Sequence, residues 1–158
     1  MPSLITPLPL EKASAIVDGA IAAGRENDMM PLTVVVLDAG GHMLVMKRAD
    51  GCGIMRTDVA VGKAYGALGL GVPTRMLGER LADRPSFLGA LAAASQGRFI
   101  PVPGGVLICE AGRTVIGAVG ISGDTSDKDE YCAITAIASA GYMSFPPEPA
   151  ADWQGSKL

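Results

Sequence analysis

Lys63 is the only charged side chain in the apolar stretch 59–70, VAVGKAYGALGL. A cation so placed either carries its ammonium out to water or is aimed into a pocket, where it can hold a carboxylate or polarise a carbonyl. Asp129 and Glu130 fall in the first turn of a predicted helix. The helix dipole favours carboxylates there, so they serve as capping charges, as acid and base, or as contacts to a partner subunit. His42, the only histidine, follows Gly41 at a predicted hairpin tip. It is an exposed polar residue or, as the sole imidazole, the candidate for proton transfer and for holding a metal. Arg48 and Asp50 close a predicted strand before a glycine turn. They form a structural ion pair or recognise an anion.

The segment IPVPGGVLI, residues 100–108, places Pro101 and Pro103 ahead of Gly104 and Gly105. Proline fixes φ and removes an N–H, whereas glycine reaches backbone angles closed to other residues. Such a segment turns a β corner, or it brings bare amides close to a ligand. With Lys63 opposite, free amides at Gly104 and Gly105 would make a receptor for a carboxylate. The candidate catalytic set is therefore Lys63, Asp129, Glu130 and His42. The candidate ligand-binding set is Lys63, Gly104, Gly105, Arg48 and Asp50, and His42 is the candidate metal ligand.

Elements able to position these residues are legible in the hydrophobic pattern. Apolar residues recur at helical spacing from Leu10 to about Arg25. LTVVVL and MLVM, at 32–37 and 43–46, read as strands joined by the turn Asp38-Ala39-Gly40-Gly41. Thr57 or Asp58 can cap a helix running to about Leu70, and short helices follow Pro73 and Pro85. Strands are expected at 106–109 and 114–121, with a further one at 98–101. Ser126-Asp127-Lys128-Asp129 resembles a capping box opening a helix to about Tyr142. Short hairpins make the strands antiparallel, and their near-continuous apolar character implies cover on both faces. The expectation is an α+β fold, a single three-layer domain with a central antiparallel sheet of about five strands covered by helices. The domain spans 1–144, followed by a proline-rich tail at 145–158 that docks through Trp153. The glycines of GAVGISG fall every third residue within and after an antiparallel strand, so they are not a dinucleotide fingerprint.

Composition excludes several functional classes. At 158 residues, 49% apolar and 18% charged, the chain can bury a real core and is not disordered. A net charge of −3 with no basic cluster argues against nucleic acid. No apolar run approaches the roughly 18 residues of a membrane span, and MPSLITPLPL has no basic n-region. Three widely spaced cysteines read as buried free thiols in a reducing compartment. The expected location is cytoplasmic. Ser156-Lys157-Leu158 spells a peroxisomal address but reads as chance or a vector-derived scar.

The segments VVVLDAGGHMLVMKRADG, AVGKAYGALGLGVPT, GRFIPVPGGVLI and VIGAVGISGDTSDKDEYCA resemble the GlcG/HbpS-like family, whose domain also ends PduO proteins. The resemblance covers about Leu10 to Tyr142. It implies a helix-covered antiparallel sheet, homo-oligomers built from dimers and often octameric, and binding of a small ligand, haem in some members. Other members sit in operons for glycolate, diol or aromatic breakdown. By motif, Lys63 matches the family's helix lysine, Gly104 and Gly105 its double glycine, Arg48 and Asp50 its strand-end pair, and Asp129 and Glu130 its acidic helix start. The first helix, LEKASAIVDGAIAAGREN, departs from haem-binding relatives in having no histidine. For haem, His42, a Met or a Cys would have to serve as the axial ligand. Three functions are weighed: binding of haem or a small carboxylated metabolite; cofactor-independent tautomerase, isomerase or lyase chemistry on a small organic acid; or a structural or regulatory subunit with no ligand.

Overall fold

A computed structural model describes Pro2 and residues 4–158. Helix α1 (Leu10–Glu26) leads into strands β1 (Thr33–Asp38) and β2 (Met43–Arg48), followed by helices α2 (Met55–Leu70), α3 (Thr74–Leu81) and α4 (Pro85–Ala94). Strands β3 (Gly105–Cys109) and β4 (Val115–Ser122), helix α5 (Ser126–Ser139) and strand β5 (Met143–Phe145) complete the order. The five strands form one antiparallel sheet in the order β2-β1-β4-β3-β5. The fold is α+β, with helices on both faces of the sheet.

The three layers follow from where the apolar residues fall. Ala13, Ile16, Val17 and Ala20 line one stripe of α1, and Ala133, Ala136 and Ile137 one stripe of α5. Together they cover Val34, Val36, Val106, Val119 and Ile121 on one face of the sheet. The alternate residues of the same strands, Val35, Leu37, Leu107 and Ala118, point to the opposite face and pack on Ala60, Ala64 and Ala67 of α2. Small residues let α2 lie almost against the backbone of β4. A Cβ at Gly120 would collide with the Ala60 carbonyl and stand 2.9 Å from the Ala64 nitrogen.

The β1–β2 hairpin turns as expected. Asp38 Oδ1 accepts the N–H groups of Gly40 (2.8 Å) and His42 (2.9 Å), a side-chain-closed turn. Five local expectations need correction. Residues 98–101 form no strand; Ile100 N–H donates to the Gly62 carbonyl (3.2 Å), so the segment lies along α2. Pro101 and Pro103 have no N–H to offer a ladder. Helix α2 starts at Met55, ahead of Thr57 and Asp58, and α5 has Thr125 as its N-cap with no side-chain cap bond. The carboxylate expected in that capping box is engaged elsewhere. Helix α5 stops at Ser139, where Tyr142 N–H closes onto the Ile137 carbonyl (3.2 Å) and releases the chain into β5. Strand β2 is an edge, with Met43, Met46, Lys47 and Arg48 exposed, so the expected two-sided cover stops at β1.

The chain beyond β5 folds back over the domain. Trp153 stacks on Tyr131 of α5, ring centroids 3.6 Å apart and planes 11° from parallel. Strand β5 itself spans residues 143–145, across the expected boundary between domain and tail.

Candidate functional site

The register of the sheet gathers one set of strand ends. Thr33 stands opposite Arg48 and Ser122, and Gly105 opposite Gly120. Over this end lies α2, which presents Lys63 from its middle to the start of β3. Lys63 is 1% exposed. Its ammonium does not reach water; Nζ donates to Asp129 Oδ2 at 2.9 Å, and both side chains are buried. The other Asp129 oxygen accepts the Asp124 N–H at 3.2 Å. That bond turns Asp129 inward from the start of α5.

Gly104 lies directly against this pair. Its φ is +112°, and an added Cβ would sit 2.9 Å from Lys63 Nζ and 3.1 Å from Asp129 Cβ. Only a residue without a side chain fits the angle and the space together. The double glycine and the lysine therefore do converge. The Gly105 amide is not free, however: it donates to Thr74 Oγ1 at 2.8 Å. The position expected for a ligand carboxylate beside Lys63 is filled by the carboxylate of Asp129.

Glu130, the next residue, is 0% exposed, and among the described residues neither of its oxygens accepts a hydrogen bond. The nearest cation is Arg75, whose Nη1 lies 3.4 Å from Glu130 Oε2 and whose side chain remains partly open to solvent. The other Arg75 nitrogen, Nη2, donates to the Glu148 carbonyl of the returning chain at 3.0 Å. Burial pushes Asp129 up to about 6 against the pull of Lys63, and pushes Glu130 up to about 7 against the pull of Arg75. Burial also presses Lys63 below its ordinary value, opposed by Asp129. Arg56 is near enough to favour ionised Asp129 and disfavour charged Lys63. It donates to Ser122 Oγ at 3.3 Å.

A pH-dependent stability follows. The folded-state pKa of Glu130, about 7, lies above its ordinary 4.5. The folded protein thus holds a proton the unfolded chain releases, and stability is lost as pH rises from 4.5 through 7. Glu130→Gln is expected to match the parent near pH 4.5 and to exceed it by on the order of 2 kcal/mol above pH 7, as read by urea unfolding across pH. An advantage that does not grow with pH would refute this assignment.

The remaining candidates lie elsewhere. His42 sits at the hairpin tip, its side chain 83% exposed and Nδ1 3.4 Å from Asp38 Oδ1. Arg48 donates to the Cys52 carbonyl at 3.3 Å rather than pairing with Asp50. Asp50 borders a cleft of 180 Å³ with Met29, Met30 and Ala49. Among the described residues, no group of three or more His, Cys, Asp or Glu stands close enough to hold a metal ion. Arg56, Thr74 and Arg75 were not anticipated. Arg56 lies seven residues before Lys63 in one helix, a spacing that places both on one face and was available as a signal.

Comparison with known proteins places this geometry in a family. The model of the family described as haem degrading protein HbpS-like matches residues 8–138. The chain belongs to the HbpS-like family. A 15.0 kDa protein of uncharacterised function, encoded in the dhaT–dhaS intergenic region of Citrobacter freundii, is 34% identical over 118 residues, 75% of this chain and 82% of that protein. The crystal structure of a PduOC–haem complex matches with a TM-score of 0.76 at 25% identity, covering 85% of this chain and 96% of that one. A double mutant of HbpS from Streptomyces reticuli matches with a TM-score of 0.73 at 29% identity, covering 87% and 90%. HbpS-like membership supports a ligand-binding role in the broad sense. Among the described residues, no helix is long and apolar enough to cross a membrane.

Haem can be tested against the donors this HbpS-like chain offers. Its only histidine is on an exposed turn, remote from the buried cluster by fold position. The thiol of Cys109 is pushed up by burial and stays protonated, whereas iron takes the thiolate. Among the described residues, neither His42 nor Cys109 offers haem a buried, strong axial ligand within one chain.

Proposed function

We propose that this chain is a homo-oligomeric, cytoplasmic small-ligand-binding protein whose ligand carries a carboxylate, either a small carboxylated metabolite or haem through its propionates. One observation carries the reading: a buried Glu130 with no hydrogen bond stands beside an Arg75 guanidinium still partly open to solvent. A buried carboxylate so unsupported gains a proton readily near neutral pH. Once Glu130 is neutral, Arg75 has no anionic partner there and is available to an incoming carboxylate in bidentate geometry. Lys63 and Asp129 hold the floor of the site, and Gly104 lets the backbone close over them. Ligand binding should therefore be accompanied by proton uptake.

Helix α4 supports the oligomer. PSFLGALAAA has no charged residue, yet none of its residues is buried within the chain, and Phe87 is 43% exposed. A second copy of this chain is the partner that would cover it. Three buried free thiols support the reducing compartment.

A second reading has its own observation. Asp129 near 6 and Glu130 near 7 bracket the range useful for general acid–base work, beside a lysine of lowered pKa. That arrangement suits a cofactor-independent tautomerase, isomerase or lyase acting on a small organic acid. Native mass spectrometry of the purified protein, with a haemin titration, separates the readings. The binding reading expects multiples of the 16.1 kDa chain carrying an acidic adduct or taking up haemin with a Soret shift. A Soret shift lost in His42→Ala would assign haem to His42. An adduct-free monomer indifferent to haemin would overturn the binding reading, and proton exchange into an added 2-oxo acid would then favour the enzyme.

A further inference from the structure

A second cavity, of 470 Å³, opens between the C-terminal end of α2, the β3–β4 turn and β5. Its size falls within the range of about 300–1,000 Å³ typical of small-molecule sites. It is distinct from the Lys63 cluster. Gly71, at its border, stands eight residues beyond Lys63, roughly 12 Å along the helix axis. Strand β3 likewise enters the Lys63 cluster at Gly105 and the cavity at Leu107 and Cys109.

The lining has a clear chemical bias. Leu107, Val115, Met143 and Phe145 supply aliphatic and aromatic walls. Cys109 adds no charge, because burial holds its thiol protonated. Arg113 is the only charged residue of the lining, and among the described residues its guanidinium has no carboxylate partner. It stands 6.0 Å from the centroid of the Phe145 ring. The backbone there is unusual: Arg113 has φ +65°, directly after Gly112 at φ +82°. A left-handed angle on a residue with a side chain is costly and persists only where the surroundings impose it.

We propose that this cavity binds an alkyl or aryl monocarboxylate, its hydrocarbon part against Leu107, Val115 and Phe145 and its carboxylate on Arg113. The opposite polarity is disfavoured. The other end of the cavity meets the C-terminus of α2, whose partial negative charge repels an anion. A neutral hydrocarbon would leave the one charged side chain unused, and a dianion would meet no second cation. This proposal does not rest on the Arg75–Glu130 reading.

The test is calorimetric titration of the full-length protein with sodium octanoate, octanol and octylamine. Octanoate is expected to bind, with octanol and octylamine weaker by about tenfold or more. Arg113→Gln, at an exposed position that tolerates either residue, is expected to weaken octanoate by about tenfold while leaving octanol unchanged. Val115→Phe, which fills the cavity from a half-buried position, is expected to abolish both. Absence of octanoate binding at millimolar concentration, or equal affinity in the parent and Arg113→Gln, would overturn the proposal. So would a change of subunit count in Val115→Phe, which would identify a second copy of the chain as the occupant.

Discussion

Asp129→Ala is expected to lower stability by about 3–5 kcal/mol, a large part of the margin of a domain this size. The loss has a particular origin. Removing the carboxylate leaves the Lys63 ammonium buried at 1% exposure with its one strong acceptor gone. Arg56 is close enough to repel what remains. The chain can shed the charge by deprotonating Lys63, so the deficit should shrink as pH rises. Loss of the acceptor at Asp124 N–H adds a smaller penalty. Replacing both partners with apolar residues of similar shape, as in Lys63→Met with Asp129→Leu, removes both charges and should recover most of the loss. Urea unfolding of the parent, single and double variants reads this directly. A double variant no more stable than Asp129→Ala would show that the pair is not the source.

The second large effect is expected at Gly120 and is steric in origin. An alanine Cβ there would strike the Ala60 carbonyl and stand 2.9 Å from the Ala60 carbonyl carbon. Both obstacles are backbone, so no rotamer change relieves them. Helix α2 would have to move off β4, opening the packing of Ala60 and Ala64 on the sheet and displacing Lys63 with it. Gly120→Ala should therefore cost about 3 kcal/mol or more, beyond what overpacking usually does in a deformable core. Gly69, on the same helix with open space around it, provides the contrast. Gly69→Ala should stabilise by about 0.5–1 kcal/mol through helix propensity. Thermal melts of the two variants moving in the same direction would contradict this account of the α2–β4 contact.

The difference between these positions shows what the sequence makes legible. Strands, hairpins and amphipathic helices rest on local periodicity, and α1, β1, β2, β4 and α5 stand close to where the pattern places them. Hairpins fix the antiparallel β1–β2 and β3–β4 pairs, whereas the β1–β4 pairing that joins them is a tertiary contact. Lys63 is conspicuous because its neighbours are small and apolar, but its pairing with Asp129 is not legible in the sequence. Asp129 sits where a capping box is expected, and the local reading of a helix start competes with a long-range contact across 66 residues. Burial settles that competition, and burial is a tertiary property. Thr74 and Arg75 were hidden for a similar reason. A polar residue opening a short helix is ordinary until β3 is seen beside it, with Gly105 donating to Thr74. At 98–101 the apolar run suggested a strand, but two prolines and the proximity of Gly62 drew it along α2 instead.

The stacking of Trp153 on Tyr131 also provides an optical handle. It is the chain's sole indole, held against the residue that follows Glu130 in α5, while the Glu148 carbonyl a few residues upstream is tethered by Arg75. Any event that changes the Arg75–Glu130 contact must tug on the segment carrying this chromophore. Its emission should thus register occupancy of the cluster without an added dye.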